Sequence, residues 1–309
     1  MSEQASQPIT AATRYCAVYG HPIKHSASPA MQNAGIAALR LNWRYLAFEV
    51  HPERLHEAIA GAKAMKFIGL NLTVPHKLLA VDMVDALDES ARTWGAVNTI
   101  RFEAQDAAGT WRSLREFPDA VPELIRSHGF NTDADAITRS LREDLSLELK
   151  GSKVLVLGAG GAGRTAALKL ASERVGELFL VNRTASKALA VAEEISRRYP
   201  AVNVTVGYPD PTANVDLLLN ATSLGLKSDD LLPLDASWYS LTRAGAVYDM
   251  IYRPAETPFL KAARTAGCRV ANGLGMLLYQ GAKALELWTG ANPPIEVMRA
   301  ALRKNIYGG

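Results

Sequence analysis

The sequence predicts an α/β protein built from two domains, on three observations. Strand and helix signals alternate through both halves of the chain, the pattern of mostly parallel sheets covered by helices. A glycine-rich turn at residues 158–163 follows an apolar run and opens a helical Ala/Leu pattern. At 309 residues, 48% of them hydrophobic, the chain is long enough for two cores.

Taken in order, the first half predicts strands over 15–19, 45–49, 67–72 and 96–102, with helices over 29–41 and 52–65. Residues 112–127, punctuated by Pro118 and Pro122, fit neither sheet and read as a surface excursion. A charged amphipathic stretch over 134–145 precedes a turn at Lys150 and Gly151 and suits a linker helix. The second half predicts strands over 153–157, 177–181, 202–206, 216–220 and 246–249, with helices over 161–172 and 186–198. From Gly273 onward, Met276, Tyr279, Gln280 and Lys283 recur at helical spacing, so the tail is expected to cross back to the first half. The expected domains are 1–132 completed by 273–309, and 133–272.

Composition narrows the function. The formal net charge is only +3 and the basic residues are scattered, which argues against a nucleic-acid partner. Cys16 and Cys268 are the only cysteines, far apart and without CxxC spacing, so neither a disulfide framework nor a zinc site is expected and no metal is assigned. Residues 1–13 are polar and lack the layout of a signal peptide, and no apolar run approaches a membrane span. The expectation is a soluble, cytoplasmic protein with a frayed start.

The turn G-A-G-G-A-G places Gly158, Gly160 and Gly163 in G-x-G-x-x-G spacing, around Ala159, Gly161 and Ala162. The first glycine allows a tight turn, the second lets backbone approach a pyrophosphate, and the third lets helix and strand pack closely. Free N–H groups at the helix start then face the phosphates. A glycine turn can also be purely steric, but the preceding strand, the following helix and the distance to the next strand favour a Rossmann-type dinucleotide site. That next strand ends in Asn182-Arg183-Thr184, where an NAD site usually carries Asp or Glu. A guanidinium there suits a 2′-phosphate, so NADP is favoured over NAD unless Arg183 is one more surface arginine.

In the first half, residues 20–29 form a polar loop between strand and helix. Ser28 fits an N-cap before Pro29, whereas Ser26 is left free to meet a ligand carboxylate. Asn71 and Thr73 sit where a strand ends, the place where open α/β sheets bind ligands. Asn98 reads either as a ligand contact or as a satisfied turn amide. Alone, Lys77 suits a solvated surface and Asp133 an N-cap; together they offer an amine and a carboxylate to one substrate.

These residues, with H-S-A-S-P, N-L-T-V-P-H-K, G-A-V-N-T, G-F-N-T-D, G-A-G-G-A-G, N-R-T, N-A-T-S-L-G, Y-D-M-I-Y and G-M-L-L-Y-Q-G in order, give the chain a resemblance to the shikimate dehydrogenases over residues 15–305. The resemblance implies NADPH-dependent, reversible reduction of 3-dehydroshikimate to shikimate in a cleft between two α/β domains, a substrate-binding catalytic one and an NADP-binding one. It makes Lys77 and Asp133 the catalytic pair. Ser26, Ser28 and Tyr252 would hold the substrate carboxylate; Thr73, Asn98 and Gln280 would reach ring hydroxyls, with Asn71 lining the pocket. Around the cofactor it adds Thr222, Ser223, Met250 and Gly273 to the glycine turn and to Asn182, Arg183 and Thr184.

The chain departs from the family pattern at Gln32, where histidine is more usual, at Ala134 and Ala136, where glycine is commoner, and in the longer stretch between Asn98 and Asp133. Partners are expected to be small molecules, with a monomer or homodimer and no membrane. Two rival readings stand: a dehydrogenase of quinate or another shikimate-like ring acid, and a nucleotide-sensing regulator that keeps the fold without turnover.

Overall fold

The computed structural model describes residues 8–227 and 229–308, so the expected frayed start falls largely outside the described residues. The chain separates into two compact units, Met1–Asp133 with Leu278–Gly309, and Ala134–Leu277.

The first unit begins with β1 (Arg14–Gly20), α1 (Ser28–Ala38), β2 (Trp43–Glu49), α2 (Leu55–Ala64) and β3 (Gly69–Leu72). There follow α3 (His76–Leu79), β4 (Ala86–Leu87), α4 (Glu89–Trp94), β5 (Thr99–Gln105), β6 (Trp111–Ser113) and β7 (Ile125–Phe130). The sheet runs β2-β1-β3-β5-β7-β4, with β6 paired to β5. β1 lies parallel to both neighbours, which leaves β1 and β3 ending on the same side. β5, however, is antiparallel to β3, β6 and β7, so the mostly parallel sheet expected here is mixed. A tight connection through Gly109, at φ +78°, returns the chain directly from β5 to β6 without a crossover helix.

Residues 112–127 are the surface excursion expected of them only in the middle, where most of 115–124 is exposed, and not at their ends. They contain most of β6 and the start of β7, and Ser127 is buried. The strand I-R-S-H-G-F is hidden from an apolar count because Arg126 and His128 turn toward a buried carboxylate, Glu103 of β5. Arg126 Nε donates to Glu103 at 2.7 Å, Arg101 Nε at 2.9 Å, and His128 Nδ1 lies 3.0 Å away.

The second unit holds α5 (Asp133–Leu145, whose first residue closes the first unit), β8 (Lys153–Leu157), α6 (Gly161–Ser172), β9 (Glu177–Val181), α7 (Ala185–Arg198) and β10 (Asn203–Val206). It continues through β11 (Val215–Asn220), β12 (Ala244–Asp249), α8 (Pro258–Thr265) and β13 (Arg269–Asn272). Its six strands run β10-β9-β8-β11-β12-β13, all parallel, around a core that includes Leu155, Leu218, Val247 and Phe259. Strand order reverses between β8 and β11, which makes the space beyond their carboxyl ends the ligand crevice of this architecture.

α9 (Leu274–Thr289) starts in the second unit and continues in the first, where α10 (Ile295–Tyr307) follows. Trp288 of α9 is fully buried, and its indole N–H donates to the Ile100 carbonyl at 2.9 Å. Gly69 makes room for it, since a Cβ there would stand 2.0 Å from the indole nitrogen. Among the described residues no helix is long and apolar enough to cross a membrane, and no group of His, Cys, Asp and Glu could hold a metal ion.

Burial pushes the Glu103 carboxyl up, but His128, Arg101 and Arg126 together outweigh it and hold the group at about 2. A depressed folded value stabilises the protein above the unfolded value of about 4.3, and that contribution is lost as pH falls toward 2. Glu103→Ala is expected to cost about 3 kcal/mol at neutral pH, because it leaves cations without their partner. Thermal unfolding from pH 7 to pH 3 checks this: the gap between wild type and variant should narrow in acid.

Candidate active site

In the first unit the polar residues gather at the carboxyl ends of β1 and β3. Thr73 N–H donates to the Tyr19 carbonyl at 3.0 Å and His21 N–H to the Val74 carbonyl at 3.1 Å, which ties the loop after β1 to the loop after β3. Gly20 permits this contact, since a Cβ there would lie 2.5 Å from Thr73 Cγ2. Ser28 is not the N-cap expected of it: α1 starts at Ser28, and Ala27 occupies the cap without a side-chain bond. The Ser28 N–H instead donates to Ser26 Oγ at 3.4 Å, and the Ser28 hydroxyl bonds toward Tyr45.

Asn98 joins the next layer. Its Oδ1 accepts the Thr132 N–H at 2.8 Å and its Nδ2 donates to Thr132 Oγ1 at 3.0 Å. Thr132 Oγ1 in turn donates to the Gln280 carbonyl at 3.0 Å, which brings α9 into the same cluster. Asn71 donates to Thr99 Oγ1 at 3.0 Å and to the Asn98 carbonyl at 3.2 Å, and accepts from the Tyr45 hydroxyl at 2.7 Å. Burial, reinforced by Cys16, holds the Tyr45 phenol well above its ordinary value, so it stays a donor. Tyr45, Thr99 and Thr132 went unnoticed in the sequence; only Thr132, inside G-F-N-T-D, stood next to a signal. Gln32 is fully buried and donates to the Gly281 carbonyl at 2.8 Å, so the glutamine found where histidine is usual fastens α1 to α9 beside Gln280.

Lys77 lies in α3 and Asp133 at the start of α5, and the structure brings their side chains together: Lys77 Nζ stands 2.7 Å from Asp133 Oδ2. The carboxylate is 10% exposed and the amine 32%, so the pair is held by protein on one side and open on the other. Its backbone is fixed at both ends. Val97 N–H donates to the Lys77 carbonyl at 2.8 Å, and Asp133 N–H donates to Asn131 Oδ1 at 3.1 Å.

The second unit holds the remaining predicted residues. Gly158 adopts φ +106°, a conformation that side chains rarely take, and its N–H donates to the Val181 carbonyl at 2.8 Å. Gly163 lets α6 close on the turn, because a Cβ there would stand 2.0 Å from the Gly158 carbonyl oxygen. Gly160 and Gly161 have no atoms near their missing Cβ positions, so bare backbone faces open space at the helix start. Ala159 N–H donates to Asn182 Oδ1 at 2.9 Å while Asn182 Nδ2 donates to the Thr184 carbonyl at 2.8 Å, making Asn182 a brace between the turn and the end of β9. Arg183 and Thr184 are exposed. A cavity of about 610 Å³ lies here, lined by Gly158, Asn182, Arg183, Tyr208, Thr222 and Leu224 among others.

One carboxylate that sequence reasoning missed organises the far side. Asp249, fully buried at the end of β12, accepts from Asn220 Nδ2 at 3.0 Å, Thr257 Oγ1 at 2.6 Å and the Ile251 N–H at 3.1 Å. Burial raises its carboxyl above the ordinary value even though these donors oppose it. Asn220 Oδ1 also accepts from Thr222 N–H and Oγ1, which places Thr222 and Ser223, while Met250 N–H donates to the Asn220 carbonyl at 3.0 Å. Gly273 passes against Met250, where a Cβ would meet the carbonyl oxygen at 2.1 Å. Tyr252 follows in this second unit, its phenol raised by burial.

The parallel sheet, the glycine turn and the open backbone at the start of α6 define a Rossmann-type dinucleotide-binding protein. No carboxylate stands at the end of β9, and an exposed guanidinium lines the cavity there, a donor set that fits NADP. Residues 18–100 match the family model described as shikimate dehydrogenase substrate binding domain, residues 140–225 that of shikimate / quinate 5-dehydrogenase, and residues 273–303 that of the shikimate 5′-dehydrogenase C-terminal domain. A shikimate dehydrogenase (NADP(+)) of Methanopyrus kandleri is 37% identical over 306 residues, spanning 97% of this chain and 99% of the relative. A crystal structure of shikimate dehydrogenase in complex with NADP+ superposes with TM-score 0.82 at 35% identity, covering 98% of this chain and 99% of the other. The Thermus thermophilus shikimate 5-dehydrogenase in complex with NADP(H) and shikimate gives TM-score 0.77 at 36% identity, over 94% of this chain and 99% of that one. The chain belongs to the shikimate dehydrogenase family.

The two glycines of the turn should separate stability from binding. Gly163→Ala is expected to destabilise the cofactor-free protein by about 1–3 kcal/mol, because the new methyl overlaps backbone. Gly160→Ala should leave stability within about 0.5 kcal/mol yet weaken NADP binding, since its methyl enters the open space. Thermal unfolding and a fluorescence titration with NADPH distinguish them.

Proposed function

We propose that the chain catalyses the reversible, NADPH-dependent reduction of 3-dehydroshikimate to shikimate, with Lys77 and Asp133 as the catalytic pair. The observation that carries this reading is their 2.7 Å contact beside the hydrogen-bonded ends of β1 and β3. When bound, NADPH supplies the hydride that reaches the substrate carbonyl. Negative charge then builds on the carbonyl oxygen; the Lys77 ammonium stabilises it and donates the proton. In the oxidative direction the same amine takes the hydroxyl proton. Asp133 orients the amine and hydrogen-bonds to substrate hydroxyls.

The first unit is the substrate-binding one in this reading. Ser26 and Ser28 take the carboxylate, helped by Tyr252, while Thr73, Asn98 and Gln280 reach the ring hydroxyls and Asn71 lines the pocket. Many directional hydrogen bonds suit a small polyhydroxylated acid better than an apolar slot does. The second unit binds NADP through residues 158–163, through Asn182, Arg183 and Thr184, and through Thr222, Ser223, Met250 and Gly273. We infer action on a small molecule in the cytoplasm, as a monomer or homodimer; the two buried, unpaired cysteines support a reducing compartment.

NADP reduction followed by absorbance, with shikimate and quinate each offered beside NADP and NAD, tests the reading. Turnover with shikimate and NADP is expected; turnover with quinate alone would move the substrate, and binding of NADP without turnover would leave a sensor. Lys77→Ala should lower kcat by about two or more orders of magnitude, the scale of a lost general acid, with NADPH affinity nearly unchanged. Arg183→Ala should raise KM for NADP far more than for NAD, and equal effects would remove the 2′-phosphate contact.

A further inference from the structure

His76, the neighbour of Lys77, is fully buried, and among the described residues neither ring nitrogen has a partner in good hydrogen-bond geometry, although the Val50 carbonyl faces the ring. A buried imidazole so placed is costly to fold around, so its presence here calls for a physical reason. Its surroundings supply one. Three backbone bonds knot the segments around it: His21 N–H to the Val74 carbonyl at 3.1 Å, His76 N–H to the Thr73 carbonyl at 2.8 Å, and Val50 N–H to the Gly20 carbonyl at 3.0 Å. The loop that carries Ser26 and Ser28, the end of β2 and the segment that carries Lys77 therefore meet at this ring.

Two more imidazoles stand at the joint. The rings of His21 and His51 lie edge to face with centroids 5.1 Å apart. His21 Nδ1 is 3.2 Å from Glu49 Oε1, and His51 Nδ1 is 3.7 Å from Glu53 Oε2, so each has a carboxylate beside it. His76 has none. The groups that face it are His21 from the loop after β1, His51 from the end of β2, and the Val50 carbonyl, with the Lys77 ammonium next in the chain.

We propose that His76 is a positioning residue whose neutral ring locks the 21–28 loop against residues 73–77, and that charging it in acid parts the two and removes the serines from Lys77. The proposal rests on the reading above, in which those serines and Lys77 serve one substrate. Burial lowers the His76 imidazole below its ordinary value, the Val50 carbonyl opposes this, and His21 and His51 lower it further. The ring therefore takes its proton only at a lower pH than an ordinary imidazole does. The unfolded chain binds that proton more readily, so folding stability falls as pH drops through the same region.

Two variants test the proposal in the full-length enzyme, by pH profiles with shikimate and NADP and by NMR titration of the ring nitrogens. His76→Leu removes the titrating group and should shift the acid limb of kcat/KM to lower pH, with the wild-type loss of kcat/KM in acid coming mainly from KM for shikimate. The exposed double variant, His21→Asn with His51→Asn, removes the two imidazoles that lower the His76 value. It should move both the His76 titration and the acid limb to higher pH, by about half a unit or more. A space-filling role alone would alter stability without moving either midpoint. A His76 ring that titrates at or above the ordinary value, or that ignores the double variant, overturns the proposal. So does an acid limb that stays in place in both variants. Absence of turnover with shikimate at every pH overturns the functional reading instead, and the ring titration still decides whether His76 is the group charged in acid.

Discussion

The buried amide of Asn98 is the constraint on which the first site depends. A buried amide must satisfy its donors and its acceptor within the protein, and here the end of β7 supplies the partners. By meeting both the N–H and the hydroxyl of Thr132, Asn98 fixes the residue immediately before Asp133, and Thr132 passes the restraint on to the Gln280 carbonyl. Its own carbonyl holds Asn71 in place. The carboxylate that meets Lys77 is therefore located by side chains that themselves carry no charge.

The second unit reaches its geometry by the opposite means, through atoms that are missing. Gly163 and Gly273 each leave space where a Cβ would strike a carbonyl oxygen within about 2 Å, and the chain closes into that space. Asp249 sits at the end of β12 but is buried and surrounded by donors, so it acts as an internal tie, while the exposed charge at the end of β9 is the guanidinium of Arg183. One sheet thus presents a carboxylate and a cation at the ends of two strands separated by β8 and β11, one turned inward and one turned to solvent.

Much of this was legible in the sequence. Three predicted elements, 153–157, 177–181 and 161–172, coincide with β8, β9 and α6, because strands buried on both faces are continuous apolar runs and the glycine turn marks the junction. The Lys77 and Asp133 motifs were visible as short polar clusters at strand ends. What was not legible has a common cause: polar residues whose partners lie far away in sequence. Glu103 makes β7 acceptable as an interior strand only once Arg126 and His128 arrive, 23 and 25 residues on. Tyr45 contacts Asn71 across 26 residues and Asp249 contacts Asn220 across 29, and neither pairing leaves a local pattern. Ser28 shows the reverse error: a local rule made it an N-cap, while its hydroxyl is turned toward Tyr45.

The first unit is made of two pieces of chain, and this sets an order on its assembly during synthesis. The ribosome must deliver all of Ala134–Leu277 before Leu278 and the residues after it emerge. Until then the Ile100 carbonyl lacks the Trp288 indole and the notch at Gly69 stands open. Gly35 likewise waits for Leu285 and Met298 to fill the space above it. The contiguous second unit, with its all-parallel sheet, can close while the first is still unfinished, so the spaces at Gly69 and Gly35 stay unfilled for as long as the second takes to be made.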